Sequence, residues 1–519
     1  MADIIVDNPR TGETIYTIAE PTESDVVRVY ERAAKSFETI GSMTVPERLR
    51  EIGKLKRFIL ENKEHIVDRI VEETGKCRMD ALTLEVFPAL DIINYYEKNA
   101  VRILADEKVG TPIILTGKKS RTFFEPLGTV LVISPWNYPF HLSFIPIVCA
   151  LVAGNAVILK PSRYTPLKGV LEDMAEKSGL VKDALQVVYA TRNTAKALID
   201  AKPAKIFFTG SVGGGRQVMK MAAEHLIPVE LELGGKDPMI VFDDVNLDRT
   251  VNGALWGGFT NCGQTCVSVE RIYVHEKIHD QFVAALKNKA ARLRTLAGQG
   301  SAPDELDLDV GCMTAEFQID TIERQLADAE KKGAKLAAGG GRVPGTRILP
   351  PTILTEVDHS MAIAMEETFG PVVTVTKFKT EEEAITLAND SPFGLAASVW
   401  SADLDRTVRV ARRIRTGSVS INNVLATQAN PALPFGGAKE SGFGRYRGPY
   451  GLHAFSNIKA VMIDKQSGKT EMYWFPYSKK KYAMVGKLTD GLFGGGLVKF
   501  ISGVVTGLKL ESMARKERL

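Results

Sequence analysis

The chain has 519 residues, more than one hydrophobic core usually supports, so two or three domains are expected. Hydrophobic residues make up 45% and charged residues 25%, the balance of an ordinary soluble globular protein rather than a disordered or fibrous one. The formal net charge is +4, yet residues 466–519 carry ten Lys or Arg against four acids, which leaves the rest of the chain near −2. A neutral to slightly acidic body gives no reason to expect a nucleic-acid partner, whereas the basic tail suits an anionic one. Five cysteines, an odd number in a large chain, argue against a disulfide framework and for a reducing compartment. The start, Met-Ala-Asp-Ile-Ile-Val-Asp, lacks a basic region followed by an apolar one, so no signal peptide is expected and a cytoplasmic location is.

Ser24-Asp25 can cap a helix running to about Phe37, and Pro46-Glu47 opens another to about Asn62. Residues 109–125 alternate around Pro112 and Gly117, which predicts a hairpin. From residue 128 the pattern becomes strand, loop and helix repeated. Strands are expected at 128–134, 156–159, 185–189 and 205–208, which makes this half a Rossmann-type parallel α/β sheet. A second α/β region follows from 232 to about 423, with strands near 270–275, 371–378, 396–400 and 417–421, and an extended run at 457–464.

Two residues stand out chemically. Cys266 lies in Phe-Thr-Asn-Cys-Gly-Gln-Thr-Cys-Val, and Glu232 opens Glu-Leu-Gly-Gly-Lys upstream of it. A thiol can add to a carbonyl, and a carboxylate can activate the water that later releases an acid. Pro135-Trp-Asn-Tyr-Pro139 follows the first strand, at the carboxyl end where open α/β sheets place ligands, and Asn137 offers a neutral donor for an oxyanion. Lys160-Pro-Ser162-Arg163 follows the second strand, where a Lys suits ribose hydroxyls or phosphate. Phe208-Thr-Gly210-Ser211-Val-Gly-Gly-Gly215 leads from the fourth strand into a helix, a setting for pyrophosphate. Glu366-Glu367-Thr-Phe369-Gly-Pro371 could hold a ribose and pack an aromatic ring on a nicotinamide, and Pro434 to Arg445 reads as a glycine-rich loop over the site.

In order and spacing these motifs resemble the aldehyde dehydrogenase superfamily over roughly residues 5–465, with some likeness to its long-chain members. The resemblance implies Cys266 as nucleophile, Glu232 as general base and Asn137 as oxyanion donor. It implies Trp136, Lys160, Gly210, Ser211, Gly215, Leu233, Glu367 and Phe369 as contacts to NAD or NADP, with Ser162 and Arg163 beside them, and no metal. Its fold implies a cofactor domain (1–103 and 123–231), a catalytic domain (232–423) and a small β bridging element (104–122 and 424–465). That bridge implies a homodimer or a dimer of dimers.

Three departures matter. The family most often has Glu at position 163, where it holds a ribose 2′-hydroxyl; Arg163 removes a repulsion against a 2′-phosphate, so NADP acceptance is expected. Cys262 lies four residues before Cys266, a spacing that does not by itself give disulfide geometry. The tail after 465 carries apolar residues from Val485 to Leu508 at near-helical spacing, interrupted by charges, so an interfacial helix touching a membrane through 476–519 is expected, with a helix docked on the enzyme as the alternative. A CoA-acylating relative would typically lack Glu232, and a non-enzymatic use of the fold would have lost Cys266, Glu232 or Asn137. The expected substrate is an apolar medium- to long-chain aliphatic aldehyde, with succinate semialdehyde or an aromatic aldehyde as alternatives. The sequence points to no fixed Arg for the carboxylate of a semialdehyde.

Overall fold

Val, Ile and Leu dominate Thr129–Ile133 and Ala156–Lys160, the near-continuous apolar runs that strands covered on both faces require. In the computed structural model, which describes residues 3–115, 117–296, 305–465, 470–514 and 516, these strands lie side by side in a six-stranded sheet. Its order is Gly442–Phe443, Val229–Glu232, Lys205–Thr209, Thr129–Ile133, Ala156–Lys160 and Leu185–Val187. All pairs are parallel except the Gly442–Phe443 edge. The first parallel strand in the chain thus sits mid-sheet, the second and third to one side, the fourth and fifth to the other. This is the Rossmann-type order, and the crevice where it reverses lies between Thr129–Ile133 and Lys205–Thr209. The loops that leave those two strands are Pro135–Pro139 and Gly210–Ser211.

A seven-stranded sheet runs Lys335–Ala338, Thr352–Thr355, Val372–Phe378, Val269–His275, Asp237–Val241, Ala396–Trp400 and Ser418–Ile421, parallel apart from its first pair. Glu232 ends a strand of the first sheet, and after Leu233-Gly-Gly-Lys236 the chain enters Asp237–Val241 of the second. Cys266 lies just before Val269–His275, the neighbour of Asp237–Val241. Both candidate residues therefore stand where the two sheets meet. The expected strands all form, with ends shifted by a residue or two, and the helices run Glu23–Ser42 and Val45–Glu61. The first is longer than expected because Val26, Val29, Ala33, Ser36 and Ile40 keep a buried stripe beyond Phe37.

The structure divides into two compact units: residues 1–104 with 125–457, which hold both large sheets, and residues 105–124 with 458–519. The second unit contains the expected hairpin, Glu107–Val109 against Lys119–Pro126, joined by Ser456–Ile463 into a three-stranded sheet. The tail corrects the expectation of one interfacial helix. It forms two helices, Lys479–Phe493 and Leu497–Ala514, folded on each other around Gly494-Gly-Gly496. Positive φ at Gly495 and Gly496 makes the reversal, and a Cβ on Gly491 would stand 2.4 Å from Gly503 Cα, so two glycines set the approach of the helices. Among the described residues no helix is long and apolar enough to cross a membrane. Residues 466–469, 515 and 517–519 of the basic tail lie outside the described residues.

Candidate functional site

Glycines bring the two chemical motifs together. A Cβ on Gly235 would stand 2.1 Å from the Cys266 carbonyl oxygen, and one on Gly234 2.4 Å from Glu367 Oε2. The glycines after Glu232 thus serve close packing of protein on protein. The Cys266 turn is itself unusual: Asn261 and Cys262 have φ of 51° and 55°, and Gly263 follows at 69° with its missing Cβ pressed on the Gly370 carbonyl. Buried side chains hold it. Asn261 N–H donates to Asp80, Asn137 Nδ2 donates to Gln264 O at 2.9 Å, and Tyr138 and Thr265 hydroxyls lie 2.7 Å apart. The Pro135–Pro139 turn is fixed in turn by buried Lys76, whose Nζ donates to Asn137 O at 2.7 Å while pairing with Glu85.

Cys266 lines two cavities. The larger, about 440 Å³, opens at the crevice of the six-stranded sheet and is lined by Trp136, Asn137, Lys160, Ser162, Arg163, Gly210, Ser211, Glu232, Leu233, Glu367 and Phe369. Of the residues singled out from sequence, Gly215 alone does not line it. That glycine sits in the first turn of helix Val212–Ala223, where a Cβ would meet Leu233 at 2.7 Å, and Gly214 takes the lining position. The cleft has the features of a dinucleotide site. Thr209 Oγ1 and Glu232 Oε2 are buried in it without a partner among the described residues, and helix Val212–Ala223 begins there with Ser211 as its cap. Burial, then the nearby Arg163, pushes Lys160 down to about 8. Burial, then the Glu270 charge, pushes Glu367 up to about 8, although Gly235 N–H donates to it at 2.9 Å. Phe369, at φ 51°, meets Trp136 edge to face at 5.2 Å, and its N–H and that of Thr368 are held by Glu270, which pairs with buried Lys236.

The smaller cavity, about 150 Å³, reaches Cys266 past Phe87, Ile92, Leu142, Trp256, Leu425 and Phe435. Of these only Phe435 falls in a motif singled out from sequence; the others are core-like residues far apart in the chain and carry no local signal. Sequence reading also missed Arg447. That residue is only 3% exposed and lines this cavity, a fixed Arg that the sequence had not pointed to. Its guanidinium donates to Gln428 O and His141 Nε2, both at 2.7 Å, and lies over the Phe435 and Tyr446 rings, while its Nε finds no partner among the described residues. Burial, then Arg447 itself, holds His141 well below its usual range, so the imidazole accepts as a neutral ring.

Burial shifts the ionisation of both Cys266 and Glu232 to higher pH. Burial, then the charges of Asp237, Glu367 and Glu232, pushes the Cys266 thiol up, with Arg447 opposing. Burial, then Glu230, holds the Glu232 carboxyl well above its usual range, with Arg445 and Arg447 opposing. A Cβ on Gly436 would stand 3.0 Å from Glu232 Oε1, so the glycine-rich loop does close on this carboxyl. Cys262 is buried in the core of the seven-stranded region, and all five cysteines are free.

The comparisons agree with this geometry. Residues 2–461 match the aldehyde dehydrogenase family. The chain is 42% identical over 454 residues to a 4,4'-diapolycopene aldehyde oxidase of Methylomonas sp, covering 87% of this chain and 84% of that protein. It is 35% identical to a glutarate-semialdehyde dehydrogenase of Pseudomonas aeruginosa, covering 89% and 94%. Among solved structures, a Mycobacterium tuberculosis aldehyde dehydrogenase complexed with NAD+ superposes with a TM-score of 0.82 at 34% identity, over 88% of this chain and 94% of that one. The chain belongs to the aldehyde dehydrogenase family and is an NAD(P)-dependent oxidoreductase.

Proposed function

We propose that the protein oxidises apolar aliphatic aldehydes of medium or long chain to their acids, with Cys266 as nucleophile, Glu232 as general base and Asn137 as oxyanion donor. The carrying observation is the apolar cavity that ends at Cys266. A cavity near 150 Å³ with aliphatic and aromatic walls takes an apolar group of about six carbons, so a longer chain extends beyond it. The relative that acts on a diapolycopene aldehyde supports the same class.

The aldehyde carbon is attacked by the Cys266 sulfur once its proton has passed to the Glu232 carboxylate, which lines the same cleft. The second N–H of Asn137, the one not given to Gln264, stabilises the oxygen that becomes negative. NAD(P), held by Trp136, Lys160, Ser162, Arg163, Gly210, Ser211, Leu233, Glu367 and Phe369, supplies the hydride acceptor when bound. Glu232 first releases the Cys266 proton to solvent through the polar cleft; its carboxylate then takes a proton from water as that water attacks the thioester, and the acid leaves with the Cys266 thiolate as leaving group. The bridging segments support a homodimer or a dimer of dimers.

A second reading has its own support. Arg447 is a buried cation beside Cys266, and a carboxylate at the far end of glutarate or succinate semialdehyde could pair with its free Nε. Hexanal, dodecanal and succinate semialdehyde rates in wild type and Arg447→Leu separate the two. The apolar reading expects alkanals to exceed succinate semialdehyde in kcat/KM and Arg447→Leu to keep that order. Faster succinate semialdehyde turnover, lost in Arg447→Leu, would replace it. Cys266→Ala should abolish turnover of every aldehyde, and retained turnover would end the covalent mechanism.

A further inference from the structure

The helix Leu497–Ala514 has two apolar faces. One, carrying Gly503, Leu510 and Ala514, is buried against the helix Lys479–Phe493. At 100° per residue, Leu497, Val498, Ile501, Val505 and Leu508 cluster on the opposite side. They are exposed, Leu497 by 73% and Val498 by 82%, and Phe493 at the reversal by 83%. Such a face of contiguous large side chains marks a contact site. Ser502 and Thr506 lie off the stripe, Lys509 flanks it, and Lys479, Lys480, Lys487 and Lys499 are exposed elsewhere on the same two helices.

We infer that this face lies on an anionic lipid bilayer. The helix rests in the headgroup region with Leu497, Val498, Ile501, Val505 and Leu508 turned into the acyl boundary. Charge complementarity favours lipid over a second copy of the same basic hairpin, because two such faces together would bring their lysines together. Trp474, Tyr477 and Tyr482, all exposed in the same segment, are residue types that settle at the membrane–water boundary. Lys499, close to the reversal, limits the depth to an interfacial one.

The test uses the full-length enzyme and vesicles of phosphatidylcholine with or without phosphatidylglycerol. The wild type should sediment with the anionic vesicles and be partly released by salt. The triple variant Val498→Ser, Ile501→Ser, Val505→Ser should lower partitioning about tenfold or more, with unchanged hexanal turnover and elution volume. As a second measurement, a Trp placed by Ile501→Trp should be quenched by chain-brominated lipid and one placed by Thr506→Trp should not. Wild type left in the supernatant, equal partitioning of the triple variant, or equal quenching at 501 and 506 would overturn the inference. A shift of the triple variant to a smaller oligomer would overturn it too, by assigning the face to a second copy. Hexanal turnover reports the aldehyde assignment separately, so sedimentation without turnover would sink that assignment and leave this one standing.

Discussion

Arg163→Glu should turn the cofactor preference towards NAD. Arg163 is exposed at the rim of the polar cleft, its Nη2 donates to the Tyr164 hydroxyl at 2.8 Å, and its guanidinium lies 4.8 Å from the Tyr164 ring centre. The side chain is therefore oriented before a ligand arrives. A hydrogen bond to a charged group contributes about 1.5–3 kcal/mol, and solvent exposure at this position argues for the lower end. Since about 1.4 kcal/mol is a factor of ten, losing the pair should raise the Michaelis constant for NADP about tenfold. The introduced carboxylate adds repulsion against a 2′-phosphate, while a free 2′-hydroxyl can donate to it, so the constant for NAD should stay or fall. The assay is initial rate against each cofactor at saturating hexanal, repeated at high ionic strength, where the difference should shrink. Arg163→Gln should fall between the two. An unchanged NADP to NAD ratio in Arg163→Glu would refute the assignment of Arg163 as the reader of that phosphate.

Wild-type turnover should rise with pH, because burial shifts the ionisation of Glu232 to higher pH, and Glu232→Gln should be slow throughout while keeping a first burst of reduced cofactor; a profile that falls as pH rises would contradict this. The sign for stability is opposite. A carboxyl with a raised folded-state pKa contributes stability below its unfolded pKa and loses it as pH rises, so Glu232→Gln should gain melting temperature over wild type progressively as pH increases. Gly263→Ala combines left-handed φ with a Cβ 2.0 Å from the Gly370 carbonyl oxygen and should cost at least about 4 kcal/mol by denaturant midpoint. Gly12→Ala, with positive φ and open space, should cost about 1 kcal/mol; equal losses would mean that the close approach to Gly370 does not matter.

The parallel strands and the polar cleft were legible because their signals are local. A run such as Thr129–Ile133 declares its own burial, and the turns after it carry Asn137 and, after the next strand, Lys160. The apolar cavity was not legible, since Phe87, Trp256, Leu425 and Arg447 are far apart in the chain and only the tertiary fold collects them. Arg447 was hidden further by its place just past the glycine-rich loop, at the start of helix Gly448–Ala454, where a cation reads as surface. Lys76, Glu85 and Glu270 were missed for a related reason: a buried pair looks like any two charges until its burial is known. The roles of several glycines show only in the fold: Gly234 lines the cleft and packs on Glu367, and Gly491 and Gly503 let two helices approach.

Cys266 opens on two cavities, but Glu232 lines only the polar one. On the proposed mechanism the acyl tail and the hydrolytic water would arrive by different doors. A long chain can plug the apolar side completely and still leave the carboxyl in reach of solvent from the cleft. Lengthening the aldehyde should thus alter how firmly it is held and how fast the sulfur captures it. On the same mechanism the rate at which the thioester meets water would be a property of the other door, which every substrate would share.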